Sequence, residues 1–211
     1  MGFFFLAIMP KYEKRSRIWK HCGLQPATNI KKEEFQQMLE GQAEIKTLKD
    51  LGRDLHSDET GTTFEENALI KARALHEATG QPAIADDSGL EVDAMDTGPG
   101  VYSSRFMGED TDYKIKNQAI IDFVKDKDRR ARFVCVIAWI DEKGHEHVYR
   151  GSMEGQIHTE ILGENGFGYD PIFYYPPFKT TNGNVSADVK NSASHRHAAL
   201  MQFVRDWKNR K

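Results

Sequence analysis

Residues 60–80 read TGTTFEENALIKARALHEATG, and residues 81–87 continue QPAIADD. The first stretch predicts a helix. Thr63 with Glu66 makes a capping box, and Gly80 provides a C-terminal stop. Phe64, Ala68, Ala72 and Leu75 form its apolar stripe. The second stretch predicts a short buried strand that ends at Asp86 and Asp87. Helix running into buried strand is the pattern of an α/β fold.

The same alternation continues. DTDYKIKNQAIIDFVKD predicts a helix with Tyr113, Ile120, Phe123 and Val124 inward. RFVCVIAWID (132–141) predicts a strand that turns at DEKG into HEHVYRGSMEGQI, its antiparallel partner. NGFGYDPIFYY predicts a glycine-rich loop entering a strand. SHRHAALMQFVRDW predicts a helix capped by Ser194, with Leu200, Val204 and Trp207 on one stripe. These elements imply an α/β fold with a mixed central β-sheet flanked by helices and a smaller lobe.

Composition narrows the function. The chain has 211 residues, 39% hydrophobic and 29% charged, with a net charge of −3. This suits a soluble globular protein and argues against a broad duplex-DNA footprint. No nucleic acid is expected as a partner. Two cysteines, Cys22 and Cys135, form no CxxC, so neither a zinc knuckle nor a disulfide framework is indicated. A reducing cytoplasm is the expected compartment. The longest apolar run, Phe3–Met9, is too short for a bilayer, and its basic cluster follows it. Neither a membrane anchor nor a signal peptide is expected.

Four groups of residues carry possible chemistry. Glu59, Asp86 and Asp87 offer oxygen ligands that suit Mg²⁺, although each alone is an ordinary turn carboxylate. Asn67 and Lys71 lie within roughly 40° of each other on the helix, so Lys71 can reach toward the sheet edge. GENGFGYDP (163–171) brings backbone N–H groups close to a ligand, with Phe167 and Tyr169 available to stack on a base. It is neither a Walker A loop nor a dinucleotide fingerprint. VKNSASHRH (189–197) sets Lys190, His195 and Arg196 before a helix start, an anion-binding arrangement. His145 with His147, and His195 with His197, have no third ligand and do not make a zinc site. Together the four groups are an inventory for a nucleoside polyphosphate with Mg²⁺.

TGTTFEENALIKA, ADDSGLEVDA with GPGVYSSRF, GFGYDPIF and VSADVKNSASHR, in this order, resemble the Ham1/inosine triphosphatase family of non-canonical purine nucleoside triphosphate pyrophosphatases. The resemblance runs from about Ala27 to the C-terminus. It implies a single catalytic domain over 27–211 behind an atypical segment, 1–26. It implies hydrolysis of inosine, deoxyinosine and xanthosine triphosphates to monophosphate and pyrophosphate by a cytoplasmic homodimer using Mg²⁺. Asp87 then resembles the catalytic acidic residue, which also serves the metal, and Glu59 the second metal carboxylate. Ser88 and Lys71 resemble substrate contacts. Phe167, Gly168, Tyr169 and Asp170 resemble the base-side loop. Lys190, His195 and Arg196 complete the pocket. Thr28, Asn29 and Lys31 resemble the triphosphate-gripping loop, but ATNIKKEEF is shorter than the family's T-x-N-x-x-K-x-x-E. RIWKHCGLQP before it reads poorly as a buried strand; FFFLAIM can supply one from upstream. Two alternatives follow: a nucleotide-binding protein with impaired catalysis, and a pyrophosphatase with another base preference.

Overall fold

A computed structural model describes residues 5–9, 44–47, 50 and 58–210. Seven strands form one sheet in the order β2-β1-β3-β4-β5-β6-β7. They are β1 (Phe5–Met9), β2 (Glu44–Thr47), β3 (Ala83–Val92), β4 (Arg130–Ile140), β5 (Glu146–Ile157), β6 (Phe173–Tyr175) and β7 (Thr180–Thr181). β1 pairs antiparallel with both β2 and β3, and β6 with both β5 and β7. The apolar run FFFLAIM therefore does supply a strand, with Leu6 opposite Ile84. The helices are α1 (Phe64–Thr79), α2 (Tyr113–Phe123), α3 (Ala187–Ser192) and α4 (His195–Asn209). The α/β class, with a sheet flanked by helices, is as the sequence implies. Among the described residues no helix is long and apolar enough to cross a membrane.

The chain divides into two compact units. The first comprises the described residues up to Asp86, with Ile137–Tyr149 and Gln202–Lys211. Its helix α1 has the expected capping box and a left-handed Gly80 at its end. Phe64, Ala68, Ala72 and Leu75 are all buried, as their spacing predicts. Trp139 meets the Phe203 ring edge-on at 5.5 Å, and Val204 and Trp207 are buried with it. The β4–β5 turn is held by Asp141, whose carboxylate accepts from the backbone N–H of Lys143 and His145, each at 2.9 Å. The His147 and His145 rings stand 3.1 and 3.2 Å from its Oδ2.

The second unit comprises Asp87–Val136 and Arg150–Met201. Leu90, Val92, Ile120, Val124, Phe133 and Phe173 are among its core. α2 departs from expectation at one position. Phe123 is 42% exposed, with the Lys127 amine 3.4 Å from its ring centre. Ile121, Lys116 and Asn117 turn inward instead. Phe123 lies at the edge of the apolar arc, and its neighbour Ile121 fills the core in its place.

The largest departure is in β3. The strand does not end at the aspartates but continues through Ser88 and Gly89 to Val92. Asp, Ser and Gly are turn formers locally, yet cross-strand pairing decides here. The segment 189–197 also differs: Lys190 lies inside α3, and a break at Ala193–Ser194 precedes α4. Ser194 does cap α4, its Oγ accepting from His197 N at 3.1 Å.

Candidate active site

Asp86 and Asp87 sit mid-strand and are both buried, at 5% and 8% exposure. Successive strand residues point to opposite faces. The two carboxylates therefore serve different faces, which relieves the repulsion their adjacency suggests. Ser88 is half-buried. Two residues further along, the Leu90 N–H donates to Ser103 Oγ at 2.9 Å.

Glu59 and Lys71 are brought together at the start of α1. Lys71 Nζ donates to Glu59 Oε1 at 2.8 Å, with side-chain exposures of 3% and 12%. The intervening turn is pinned at both ends. Gly61 N–H donates to Asn67 Oδ1 at 2.9 Å. Glu66 Oε2 accepts from the N–H groups of Thr62 and Thr63 and from the Thr62 hydroxyl. The Thr62 N–H foremost, then its hydroxyl, holds the Glu66 carboxyl below the usual range. A lysine on this helix face is thus a buried ion-pair partner.

The loop 163–170 is built around Asp170, which is 1% exposed. Its Oδ2 accepts from Lys190 Nζ at 2.5 Å and from Phe167 N–H at 2.8 Å. Asn182 Nδ2 approaches its Oδ1 at 3.4 Å. Gly166 has φ 77°, and a Cβ there would collide with the Asp170 carboxylate. Both requirements make glycine obligatory at that position. Phe167 is 51% exposed, and its ring centre is 4.7 Å from the Lys190 amine. Tyr169 is turned inward at 1% exposure. Its hydroxyl donates to the Ser103 carbonyl at 2.7 Å, and its ring meets Tyr113 edge-on at 5.3 Å. Burial pushes the Tyr169 hydroxyl above its ordinary range, with Tyr113 adding to the shift. Gly168 presents its carbonyl to Asn117 Nδ2 at 3.1 Å.

His195 and Arg196 are the first residues of α4. The buried His195 ring stacks on Phe133 at 5.1 Å with a 21° tilt. Gly151 on β5 permits this placement: a Cβ there would collide with the His195 carbonyl and the Ala199 N–H.

Thr28, Asn29 and Lys31 lie outside the described residues, as does the compressed ATNIKKEEF loop. Among the described residues no group of three or more His, Cys, Asp or Glu side chains could hold a metal ion. Mg²⁺ is commonly held by one or two carboxylates, completed by water and phosphate oxygens. Glu59 and Asp87 have the chemistry for it.

Sequence reasoning missed Ser103, Lys116, Asn117 and Asn182, all buried polar groups of the second unit. Lys116 is fully buried, its amine on the Ser104 carbonyl at 2.7 Å and 4.9 Å from the Tyr113 ring centre. Nothing local marks any of these positions. Their partners are up to 66 residues away in the chain.

Known proteins resemble this chain over most of its length. A curated dITP/XTP pyrophosphatase of Desulforamulus reducens is 50% identical over 150 residues, covering 70% of this chain and 75% of that protein. One from Exiguobacterium sibiricum is 43% identical over 174 residues, covering 81% and 88%. The solved Ham1 protein of Staphylococcus aureus superposes with a TM-score of 0.80 at 37% identity, covering 86% of this chain and 94% of that one. The Ham1 protein of Coxiella burnetii superposes with a TM-score of 0.78 at 40% identity, covering 85% and 94%. The Ham1 family model matches residues 27–206, from the ATN segment through the buried face of α4. The strand-borne aspartates, the Asp170-centred loop and the His195 helix start therefore all lie within the matched region, and the chain belongs to the Ham1 family.

Proposed function

We infer that this chain is a nucleoside triphosphate pyrophosphatase that hydrolyses non-canonical purine nucleotides, dITP, ITP and XTP, to the monophosphate and pyrophosphate. Its curated relatives carrying that activity match at 42–50% identity, and this likeness is the observation that carries the reading. Water adds to the α-phosphorus, the bond to the bridging oxygen breaks, and pyrophosphate leaves.

Asp87 is the residue suited to orient that water and accept its proton, because a strand holds it in place. Glu59 and Asp87 would hold the Mg²⁺, whose charge offsets that of the phosphates when it is bound. Lys71 and Ser88 contact the phosphates in this reading, and Thr28, Asn29 and Lys31 grip them from the N-terminal side. Phe167 offers an exposed ring for the purine, His195 and Arg196 read its edge, and Lys190 completes the pocket. Gly168, Tyr169 and Asp170 shape the loop that carries Phe167. A site that donates to the six-position oxygen rejects adenine, whose amino group leaves that donor unpaired. We place the catalytic domain over 27–211, as a homodimer in the cytoplasm.

The alternative of a binding protein with impaired catalysis is not favoured, since the relatives matched along most of the chain are named as enzymes. The test is pyrophosphate release from inosine, deoxyinosine, xanthosine, guanosine and adenosine triphosphates, with and without Mg²⁺. Release from the first three well above the last two, dependent on Mg²⁺, is expected. Binding without release would restore the alternative.

A further inference from the structure

We propose that Ser103 and Tyr169 are positioning residues that tie the loop carrying Phe167 to the strand carrying Asp87, so that recognition of the base is expressed in turnover. The inference rests on the pyrophosphatase reading and deepens it. Two buried hydrogen bonds make the tie, and a third closes the turn behind them. Leu90 N–H, three residues beyond Asp87, donates to Ser103 Oγ at 2.9 Å. Tyr169 OH, two residues beyond Phe167, donates to the Ser103 carbonyl at 2.7 Å. Ser103 Oγ itself donates to the Gly100 carbonyl at 2.6 Å, closing the turn it belongs to. One serine thus holds the strand through its side chain and the loop through its backbone.

α2 fixes the same junction from a second side. Asn117 Nδ2 donates to the Gly168 carbonyl at 3.1 Å. Lys116 Nζ donates to the carbonyl of Ser104, next to the one Tyr169 grips, at 2.7 Å. The orientation of the Asn117 amide is fixed by chemistry, because a carbonyl only accepts. Ser103, Leu90, Asn117 and Tyr169 are all 2% exposed or less, and water does not compete for the two buried bonds to Ser103. A displacement of the Phe167–Gly168 backbone is carried to β3 by short, dry links. Binding energy from the base, remote from the reacting phosphorus, can then serve orientation at the reacting centre.

The test compares wild type with Tyr169→Phe, which keeps the ring against Tyr113 and removes one hydroxyl. Steady-state rates on inosine and adenosine triphosphates are measured with saturating Mg²⁺, alongside thermal melting. For Tyr169→Phe, kcat on inosine triphosphate should fall about tenfold, as for loss of one hydrogen bond. KM should move less than about threefold, and the adenosine triphosphate rate should barely change. Asn117→Ala, which releases Gly168, should show the same signature. Ser103→Ala combined with Tyr169→Phe should cost no more than the worse single change, because both break one chain of bonds. A lowered melting temperature with an unchanged inosine-to-adenosine ratio would assign these bonds to stability alone and overturn the proposal. So would equal losses on both substrates, or failure of all the variants to fold. A wild type that releases no pyrophosphate from any triphosphate would overturn the activity, and this tie with it.

Discussion

Lys190 Nζ lies 2.5 Å from Asp170 Oδ2, and this buried ion pair anchors the loop on which Phe167 is displayed. Asp170→Asn would leave the lysine charge without its counter-charge. Removing one partner of a buried pair costs about 3–5 kcal/mol. The urea midpoint should drop accordingly. Asp170→Asn with Lys190→Met should recover part of that stability without recovering turnover on inosine triphosphate, which separates the anchoring role from a direct one.

Asp87→Asn should reduce turnover by at least about 10²-fold, the lower end for a positioned general base. Asp86 offers no substitute, because strand alternation turns it to the opposite face. Near-normal turnover in Asp87→Asn would remove Asp87 from the mechanism.

His195→Ala or Arg196→Ala should narrow the gap between inosine and adenosine triphosphates. If both rates fall and their ratio stays constant, these residues grip phosphate and do not read the base. Gly151→Ala probes the same element without touching either side chain. The added methyl would push the His195–Ala199 turn off β5. Overpacking of this kind costs about 1–3 kcal/mol, and KM for inosine triphosphate should rise with it.

Asp141 gives a pH signature in the first unit. Burial alone would raise its carboxyl pKa, but the N–H of His145, the ring of His147 and the N–H of Lys143 together hold it well below the usual range. A lowered native pKa means stability that is fully present above the unfolded value of about 3.9 and is lost as pH falls below it. Asp141→Asn should therefore melt lower than wild type at pH 7. Its melting temperature should then fall less between pH 4 and the acid limit. Parallel melting curves across that range would contradict the assignment.

The sequence was most legible where local chemistry and tertiary structure agree. The α1 cap, stripe and stop are all short-range signals, and the structure has each of them. β3 was half legible. Its apolar entry announces a strand, but Asp86-Asp87-Ser88-Gly89 has turn propensity that sheet pairing overrides. Phe123 was expected inward, but Ile121, two residues earlier, takes the core position. Tyr169 reads as a ring free to stack because nothing in GFGYDP reveals that Ser103, 66 residues away, takes its hydroxyl. The chemistry-bearing types were visible as an inventory. Which of them touch ligand and which brace the scaffold depends on long-range partners, and single-chain patterns do not encode those.

The continuation of β3 through its aspartates bears on how this protein can change. A carboxylate on a loop drifts with every insertion or substitution nearby. Asp87 is registered instead by the ladder that orders the whole sheet. Loops 100–108 and 163–170 are bonded to that strand through Ser103 and Tyr169, so substitutions within them are free to suit a different purine only where these bonds are kept. The exposed Phe167 is then the position of that loop most open to change, while the bonded positions behind it are held to their present residues.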